Sequence, residues 1–281
     1  MKTVGIIGNG FVGGAIAEGF KHYTDVKVHD NVLEKSANTF EECMQQDIIF
    51  VCVPTPMSNS GRCNLKFVNN IMTRASVMET KPGVLVIKST VEIGTTNKLQ
   101  KTFPGLDIVH SPEFLTARTA KIDFITPSRN IIGVPDGAGG VDIGDAVYEL
   151  YQERFPGSNN ILMSSDESEL VKYTANCFFA TKVSFFNEVK LLADAMNVNF
   201  STVMKGVLAD GRIGISHYQV PGHDGRPGFG GSCFPKDINA LMYTMKRYKI
   251  NPHVLQGTWD RNVDIRIEFQ SDHDEQKVLD G

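Results

Sequence analysis

A glycine-rich turn between a short apolar strand and a helical pattern most narrows the folds open to this chain. Residues 3–7 form a strand pattern, Gly8, Gly10 and Gly13 follow with GxGxxG spacing, and a helical pattern runs to about Phe20. The first glycine permits the tight turn, the second lets the backbone approach a pyrophosphate, and the third lets helix and strand pack closely. A second predicted strand ends at Asp30, where a carboxylate can bind an adenosine ribose and repel a 2′-phosphate. The pattern predicts an NAD site; the alternative is a glycine-rich turn without a ligand.

Strands and helices alternate through the first half of the chain. Apolar runs that predict strands are 3–7, 26–30, 48–53, 84–88, 107–110, 130–134 and 160–163, and helical patterns lie near 65–79, 94–102 and 142–154. This alternation predicts an α/β fold with a doubly wound, Rossmann-type parallel sheet, which we assign to a domain of residues 1–164. Ligands are expected beyond the carboxyl ends of its strands.

One long helix replaces the alternation after Met163. Ser164 and Glu167 have capping-box spacing, and no Gly or Pro interrupts the helical pattern to about Met196. We predict a smaller all-helical domain over 165–267, with helices near 236–249 and 252–267, and a disordered acidic tail over 268–281. Cys177, Phe178 and Phe179 are interpreted as core or interface residues.

The string GFGGSCFPKD, residues 228–237, places one cysteine between a glycine-rich turn and a helix start. Pro235 suits a first helical turn. The helix dipole and Lys236 favour the thiolate form of Cys233, and Asp237 lies one turn further along. The pattern predicts a nucleophile that attacks a carbonyl; the alternative is a buried structural cysteine.

Two further polar groups suggest chemistry. Lys172 and Asn176 are four residues apart on the long helix and can polarise an oxygen together, although a solvated helix face gives the same spacing. The loop between Asp210 and Cys233 contains Arg212, His223 and Arg226 among glycines and prolines. Such a loop suits a diphosphate; the alternative is a lid with incidental charges.

Composition excludes several classes of function. The net charge of −4 does not produce the basic field of a nucleic-acid-binding protein. No signal peptide or membrane-spanning run is recognised, and the five cysteines are irregularly spaced, so we expect free thiols in the cytoplasm. No Cys/His spacing matches a metal site, and we predict none.

Seven motifs, in order, resemble the UDP-glucose/GDP-mannose dehydrogenase family: GNGFVG, VPTP, KSTV, SPEFL, ELVKYTAN, DGRIG and GFGGSCFPKD. The resemblance implies Cys233 as nucleophile, Asp237 as holder of a catalytic water, and Lys172 with Asn176 as an oxyanion-stabilising pair. It also implies Thr90 and Glu113 near the reacting carbon, a homodimer built on the helix near 166–196, and Arg212 reaching the neighbouring subunit's substrate.

The sequence departs from the family pattern at two places. The family usually has a further C-terminal domain that binds the nucleotide of the sugar, and we interpret this chain as a short form that ends before it. Ala117 stands where SPEFL is often followed by a second acid, which leaves Glu113 to direct hydrolytic water. We interpret the additional PGHDGRP segment as a loop that binds the diphosphate in place of that C-terminal domain.

The resemblance implies NAD-dependent oxidation of UDP-glucose to UDP-glucuronate by two hydride transfers, through a thiohemiacetal and a thioester on Cys233. GDP-mannose and UDP-N-acetylhexosamines are alternative substrates. A single-step 3-hydroxyacid-type dehydrogenase and a non-enzymatic dinucleotide sensor are alternative functions. We expect no nucleic-acid or membrane partner.

The predicted sites comprise three sets. The catalytic set is Cys233, Lys172, Asn176, Asp237, Glu113 and Thr90. The NAD-binding set is Gly8, Gly10, Phe11, Val12, Gly13, Asp30, Lys35, Val53, Pro54, Thr55, Thr90 and Lys236. The substrate-binding set is Phe114, Leu115, Lys172, Asn176, Arg212, Arg226, Phe229, Gly230 and Gly231.

Overall fold

The chain divides into two compact units. The structure, a computed structural model, describes residues 2–58, 61–137 and 140–266, with the backbone alone for 140 and 141. The first unit comprises Met1–Thr55 and Cys63–Lys172, and the second comprises Pro56–Arg62 and Tyr173–Gly281. The sequence-based boundary at 164/165 therefore falls earlier than the observed division, and the predicted tail over 268–281 lies outside the described residues.

The first unit contains, among the described residues, a seven-stranded sheet with the order β2-β1-β3-β4-β5-β6-β7. Its order reverses next to β1, which confirms the predicted doubly wound α/β arrangement. The strands are β1 Val4–Ile7, β2 Val26–His29, β3 Ile48–Val51, β4 Val84–Ile87, β5 Ile108–His110, β6 Arg129–Val134 and β7 Asn159–Ser164. Each predicted strand is present within two residues of its expected limits.

The central strands are buried on both faces because successive side chains point to opposite sides of a strand. Ile48 and Phe50 join one apolar cluster, which includes Phe20, whereas Ile49 and Val51 join a second cluster. Continuous apolar runs such as Ile48–Val51 are therefore explained by helices that cover both faces of the sheet.

The sheet departs from the predicted parallel arrangement at one pair. β6 runs antiparallel to β5, with His110 opposite Gly133. The connection between these strands contains one short helix, α5 Ala120–Ile125, of six residues.

Six helices and one 3₁₀ turn accompany the strands in the described part of the first unit. They are α1 Phe11–Phe20, the 3₁₀ turn Leu33–Lys35, α2 Phe40–Met44, α3 Lys66–Ser76, α4 Thr95–Thr102, α5 and α6 Gly140–Arg154. The short helices α2 and α5 are absent from the sequence-based assignment because five or six residues give little helical periodicity.

The long helix α7, Ser165–Ala195, starts in the first unit and continues into the second. Its predicted capping box is present: Ser164 N donates to Glu167 Oε2 at 2.8 Å, and Glu167 N donates to Ser164 Oγ at 3.3 Å. The first turns of α7 bond to the first unit, since Glu169 accepts from the Gly94 and Thr96 amides at 2.6 and 2.8 Å. These bonds explain why the unit extends to Lys172.

The second unit is helical, as predicted, with α8 Phe200–Leu208, α9 Phe234–Arg247 and α10 His253–Ile265 after α7. The sequence-based assignment missed α8. Cys177 and Ala180 of α7 pack with Phe229 and Ile238, while Phe178 is 64% exposed. In the described residues, no helix is long and apolar enough to cross a membrane.

Candidate active site

The glycine-rich turn of the first unit fits a dinucleotide. Gly8 has φ +96°, and a Cβ there would lie 2.6 Å from the Cys52 carbonyl oxygen. A Cβ on Gly13 would overlap the Gly8 carbonyl oxygen, whereas a Cβ on Gly10 would have nothing within 4 Å. Gly8 and Gly13 therefore serve the close approach of strand, turn and helix, while Gly10 leaves the α1 N-terminus open for phosphate.

Asp30 lies just beyond β2 and is held by the turn. Its Oδ2 accepts from the Asn9 amide at 2.6 Å and its Oδ1 from the Val32 amide at 2.8 Å. Each carboxylate oxygen keeps a second lone pair, so ribose hydroxyls can still be bound. Asn9 Nδ2 also donates to the Lys35 carbonyl at 2.7 Å, which ties the predicted residue Lys35 to the turn by its backbone.

The ends of β3 and β4 are joined by two side-chain bonds. Ser89 Oγ donates to the Val53 carbonyl at 2.6 Å, and Thr55 Oγ1 donates to the Thr90 carbonyl at 2.7 Å. Residues predicted from two different motifs, VPTP and KSTV, are thus brought together at the carboxyl edge of the sheet, as the ligand rule for such sheets expects.

Lys172 and Glu113 form a buried ion pair in the first unit. Lys172 Nζ donates to Glu113 Oε1 at 2.8 Å and to the Glu113 carbonyl at 2.7 Å. The exposed fractions of the two side chains are 4% and 9%. Glu113 Oε2 also accepts from the Leu115 amide at 2.7 Å. Lys172 is therefore a fixed positive charge rather than the solvated lysine of the alternative interpretation.

Phe114 and Leu115 line a cavity of about 290 Å³ in the first unit, together with Glu113 and with Val12 of α1. The Arg129 guanidinium stands 4.0 Å from the centre of the Phe114 ring. Two predicted substrate residues, one predicted NAD residue and one predicted catalytic residue therefore share a cavity wall.

Sequence reasoning missed the buried polar groups that hold this region. Lys88 Nζ donates to Ser111 Oγ at 3.2 Å and to the Pro112 carbonyl at 3.1 Å. His110 Nδ1 lies 2.8 Å from Ser168 Oγ on α7. Burial, followed by the positive charge of Lys88, lowers the pKa of His110 to about 3, so the ring is neutral. Lys88, the lysine of the KSTV motif, was the signal in the sequence that pointed to this group. The role of His110 depends on a contact with a residue that is distant in the sequence.

In the second unit, Cys233 is the N-cap residue of α9, and Pro235 is in the first helical turn, as predicted. The Cys233 Sγ lies 3.8 Å from Ser232 Oγ, and Cys233 is partly exposed. The buried-cysteine alternative describes Cys177 instead, whose pKa is raised by burial. Cys233 thus combines partial exposure with a position at a helix N-terminus.

Asp237, one turn into α9, is fully buried, and each of its two carboxylate oxygens has a bonding partner. Its Oδ2 accepts from Asn176 Nδ2 at 2.6 Å, and its Oδ1 is paired with Lys236. Asn176 is itself 8% exposed. Three residues that the sequence assigned to catalysis and NAD binding therefore form a single polar cluster beside the start of α9.

The remaining predicted substrate residues occupy the loop before α9. Arg212 pairs with Asp210, and its side chain is 89% exposed. Phe229 is 4% exposed and packs among core residues, whereas Gly230 and Gly231 remain closer to the surface. Arg226 lies in a turn closed by a bond from the Gly222 amide to its carbonyl, at 2.8 Å. Phe229 thus acts as a packing anchor of this loop.

Two domains of one protein family match this chain. The NAD binding domain of the UDP-glucose/GDP-mannose dehydrogenase family matches residues 18–154, and its central domain matches residues 166–264. The chain belongs to the UDP-glucose/GDP-mannose dehydrogenase family. The match to the NAD binding domain confirms NAD as the predicted cofactor.

Individual relatives agree with this assignment. UDP-glucose 6-dehydrogenase of Rickettsia typhi is 34% identical over 221 residues, which are 77% of this chain and 49% of that protein. The chain spans about half the length of such curated relatives. A solved UDP-glucose dehydrogenase of Pyrobaculum islandicum has a TM-score of 0.80 at 27% identity, covering 93% of this chain and 68% of that one.

A GDP-mannose dehydrogenase of Pseudomonas aeruginosa, solved as a ternary complex, is also similar. Its TM-score is 0.68 at 25% identity, with 94% of this chain and 69% of that chain covered. Relatives with different sugar nucleotides thus share this fold. These matches establish the family.

Proposed function

We propose that this chain carries the NAD-binding and cysteine-bearing parts of a nucleotide-sugar 6-dehydrogenase that oxidises UDP-glucose to UDP-glucuronate. The observation that carries the proposal is the position of Cys233 at the N-terminus of α9, one turn before the Asp237–Asn176 bond. Family membership and the similarity to UDP-glucose 6-dehydrogenases support the same reaction class.

The first oxidation removes a proton and a hydride from the C6 hydroxymethyl group. Bound NAD⁺ supplies the hydride acceptor for each of the two oxidations. The hydroxyl proton passes to Asp237 through a water, helped by Lys172. The fixed charge of Lys172, held by Glu113 at 2.8 Å, stabilises the developing alkoxide, an effect worth roughly 3 kcal/mol when removed.

The covalent step retains the aldehyde. The Cys233 thiolate forms an S–C6 bond, and the carbonyl oxygen takes up a proton to give a thiohemiacetal. Loss of that proton and of a second hydride gives a thioester. Water then cleaves the S–C6 bond, releasing the carboxylate and restoring the thiol. Glu113 and Thr90 are the proposed groups that direct this water, and two NADH form per sugar.

Asn176 has a defined part in this scheme. Its amide is fixed by the 2.6 Å bond to Asp237, so it does not reorient when charge develops on the substrate oxygen. Lys236 is paired with the other oxygen of the same buried carboxylate. We propose that this cluster orients the oxyanion formed on C6.

The partner proposed for α7 is a second copy of this chain. Phe178, Phe185 and Leu192 are 64%, 57% and 60% exposed and follow one another at intervals of seven residues, so they form one apolar stripe. An unpartnered stripe of this kind costs solvation free energy, which self-association recovers. Sedimentation should show a dimer for the wild type, and F178E with F185E should shift it to a monomer.

The loop residues His223, Arg226 and Arg212 remain the proposed diphosphate contacts, with Arg212 acting on the neighbouring subunit's substrate. If this assignment holds, replacing His223 and Arg226 by alanine raises the KM for the sugar nucleotide and leaves the KM for NAD unchanged. An unchanged KM for the sugar nucleotide would show that the segment 221–227 serves another purpose.

The decisive experiment is a panel of UDP-glucose, GDP-mannose and UDP-N-acetylhexosamines with NAD, followed by NADH formation and product mass. Two NADH per uronate with UDP-glucose is the expected result. One NADH per substrate would indicate the single-step alternative, and no turnover would favour the sensor. C233S should abolish uronate production and keep NAD binding; uronate at the wild-type rate from C233S would overturn the covalent route.

A further inference from the structure

The loop that leads to Cys233 is held by the C-terminal end of α10. Arg266 Nη2 donates to Asp224 Oδ2 at 2.8 Å, and its Nη1 donates to the carbonyls of Pro227 and Gly228 at 3.3 and 3.4 Å. One turn earlier, Asn262 accepts from the Phe229 amide at 2.7 Å and donates to the Phe229 carbonyl at 2.9 Å. One helix thus binds three consecutive residues of the loop, 227–229.

Both binding side chains are removed from water. Arg266 is 3% exposed and Asn262 is fully buried. A third buried side chain, Asn187 of α7, accepts from the Gly228 amide at 3.0 Å. Buried polar side chains that lose their partners incur a desolvation cost, so these bonds hold the loop in one conformation.

The glycines of GFGG are explained by the same contacts. A Cβ on Gly228 would stand 2.5 Å from Asn262 Oδ1 and 2.9 Å from Arg266 Cγ, and Gly228 has φ +72°. A Cβ on Gly230 would overlap Arg266 Nη2 and stand 2.8 Å from Arg266 Cζ. Gly228 therefore has no space for a side chain beside Asn262 and Arg266, and Gly230, which the sequence suggested for substrate binding, lies against the end of the Arg266 side chain.

We propose that Arg266 is a positioning residue for Cys233, acting through the backbone of residues 224–230. The loop is anchored at Phe229, which packs against Phe234 of α9, so only four residues separate this anchor from α9. Cys233 is the last of them. Fixing 227–230 therefore limits the positions open to the thiol. This inference rests on the proposed function, because it assigns a reason for holding that sulfur.

The ion pair of Arg266 with Asp224 is a further contact that holds the loop. Burial raises the pKa of Asp224, but the hydrogen bond from Arg266 and the bond from the Arg226 amide outweigh it, and the net pKa is lowered. The carboxylate is therefore charged at neutral pH and attracts Arg266 to the segment 221–227. Removing the charge of Asp224 should therefore loosen the loop less than removing the Arg266 guanidinium, which also bonds to Pro227 and Gly228.

The test uses four variants of the full chain: R266M, R266K, D224N and, as a matched control, R261M. Arg261 lies on the same helix and pairs with Glu188 at 3.0 Å, with 31% of its side chain exposed. Hydrogen exchange at the amides of 228–233, followed by mass spectrometry, reports on the loop without requiring activity. The kcat with UDP-glucose and NAD, and each KM, report on catalysis.

R266M should accelerate exchange at the Gly228 and Phe229 amides at least tenfold and lower kcat at least tenfold, with an unchanged KM for NAD. R266K should restore part of both, D224N should give intermediate values, and R261M should match the wild type. If R266M does not fold, as judged by circular dichroism, the D224N result decides the proposal alone.

Wild-type exchange in R266M and D224N would overturn the proposal, and so would faster exchange with an unchanged kcat. Failure of the proposed function has a different signature. In that case C233S keeps wild-type uronate production, or no nucleotide sugar is oxidised, while the exchange result for the loop stands by itself.

Discussion

Asn176 Nδ2 donates a 2.6 Å hydrogen bond to Oδ2 of Asp237, a carboxylate with no exposed surface. A buried carboxylate is stable only when its oxygens are bonded, and Lys236 occupies the other oxygen. The amide of Asn176 is therefore oriented, and one of its protons is committed to Asp237. Catalysis by Asn176 should depend on Asp237 even where Asp237 does not contact substrate.

The first prediction concerns that dependence. D237N should lower kcat about 100-fold, which corresponds to about 2.7 kcal/mol of transition-state stabilisation, because the proposed proton acceptor and the charge facing Lys236 are both lost. The affinity for NAD, measured by fluorescence titration, should not change. D264N, at an exposed carboxylate of α10, is the control. A kcat for D237N within twofold of wild type would contradict the prediction.

The second prediction concerns the ion pair of Lys172 with Glu113. K172M leaves a buried carboxylate without its cation and should lower the free energy of unfolding by about 3–5 kcal/mol. K172M with E113Q should recover a large part of that loss, because no unpaired charge remains. Urea denaturation of the wild type, both single variants and the double variant measures the coupling. Additive effects of the two single changes would refute a direct pairing.

The third prediction separates two glycines of one motif. G13A should destabilise the first unit by about 1–3 kcal/mol, since its Cβ overlaps the Gly8 carbonyl oxygen. G10A should keep the stability of the wild type, because nothing lies within 4 Å of its Cβ, and should weaken NAD binding at least about tenfold, or 1.4 kcal/mol. Thermal melts and NAD titrations give the two quantities. Equal melting temperatures for both variants would contradict this division.

The fourth prediction is a pH dependence set by His110. Its pKa is about 3 in the folded state and near 6.5 when exposed, so the unfolded state binds more protons between these values. Its contribution to stability is complete above pH 6.5 and is lost as the pH falls towards 3, with a slope of up to about 1.4 kcal/mol per pH unit. H110N should remove this part of the acid sensitivity. Curves of unfolding free energy against pH that run parallel for H110N and the wild type would refute the prediction.

The fifth prediction has the opposite sign. Burial raises the pKa of Glu169 to about 7, against the hydrogen bonds from Thr96 and Gly94. Its protonation stabilises the fold below pH 4.5, and that contribution is lost as the pH rises from 4.5 to 7. The difference in unfolding free energy between E169Q and wild type should therefore change across this range, in the direction opposite to H110N. A constant difference would contradict the raised pKa.

Local patterns determined much of this protein. Strand alternation, the capping box of Ser164 with Glu167, the glycine turn with Asp30 and the helix start at Pro235 are all encoded within a few residues. Backbone sterics and turn chemistry act over such distances, so these elements and the NAD-binding class could be predicted without tertiary structure.

Only the tertiary structure decided which distant groups meet. No local pattern marks the antiparallel direction of β6 next to β5, and the Lys172–Glu113 pair joins residues 59 positions apart. The glycines of GFGG had the composition of a ligand loop, yet Gly228 has no space for a side chain beside Asn262 and Arg266. Sequence spacing describes neighbours along the chain, whereas burial and charge pairing depend on neighbours in space.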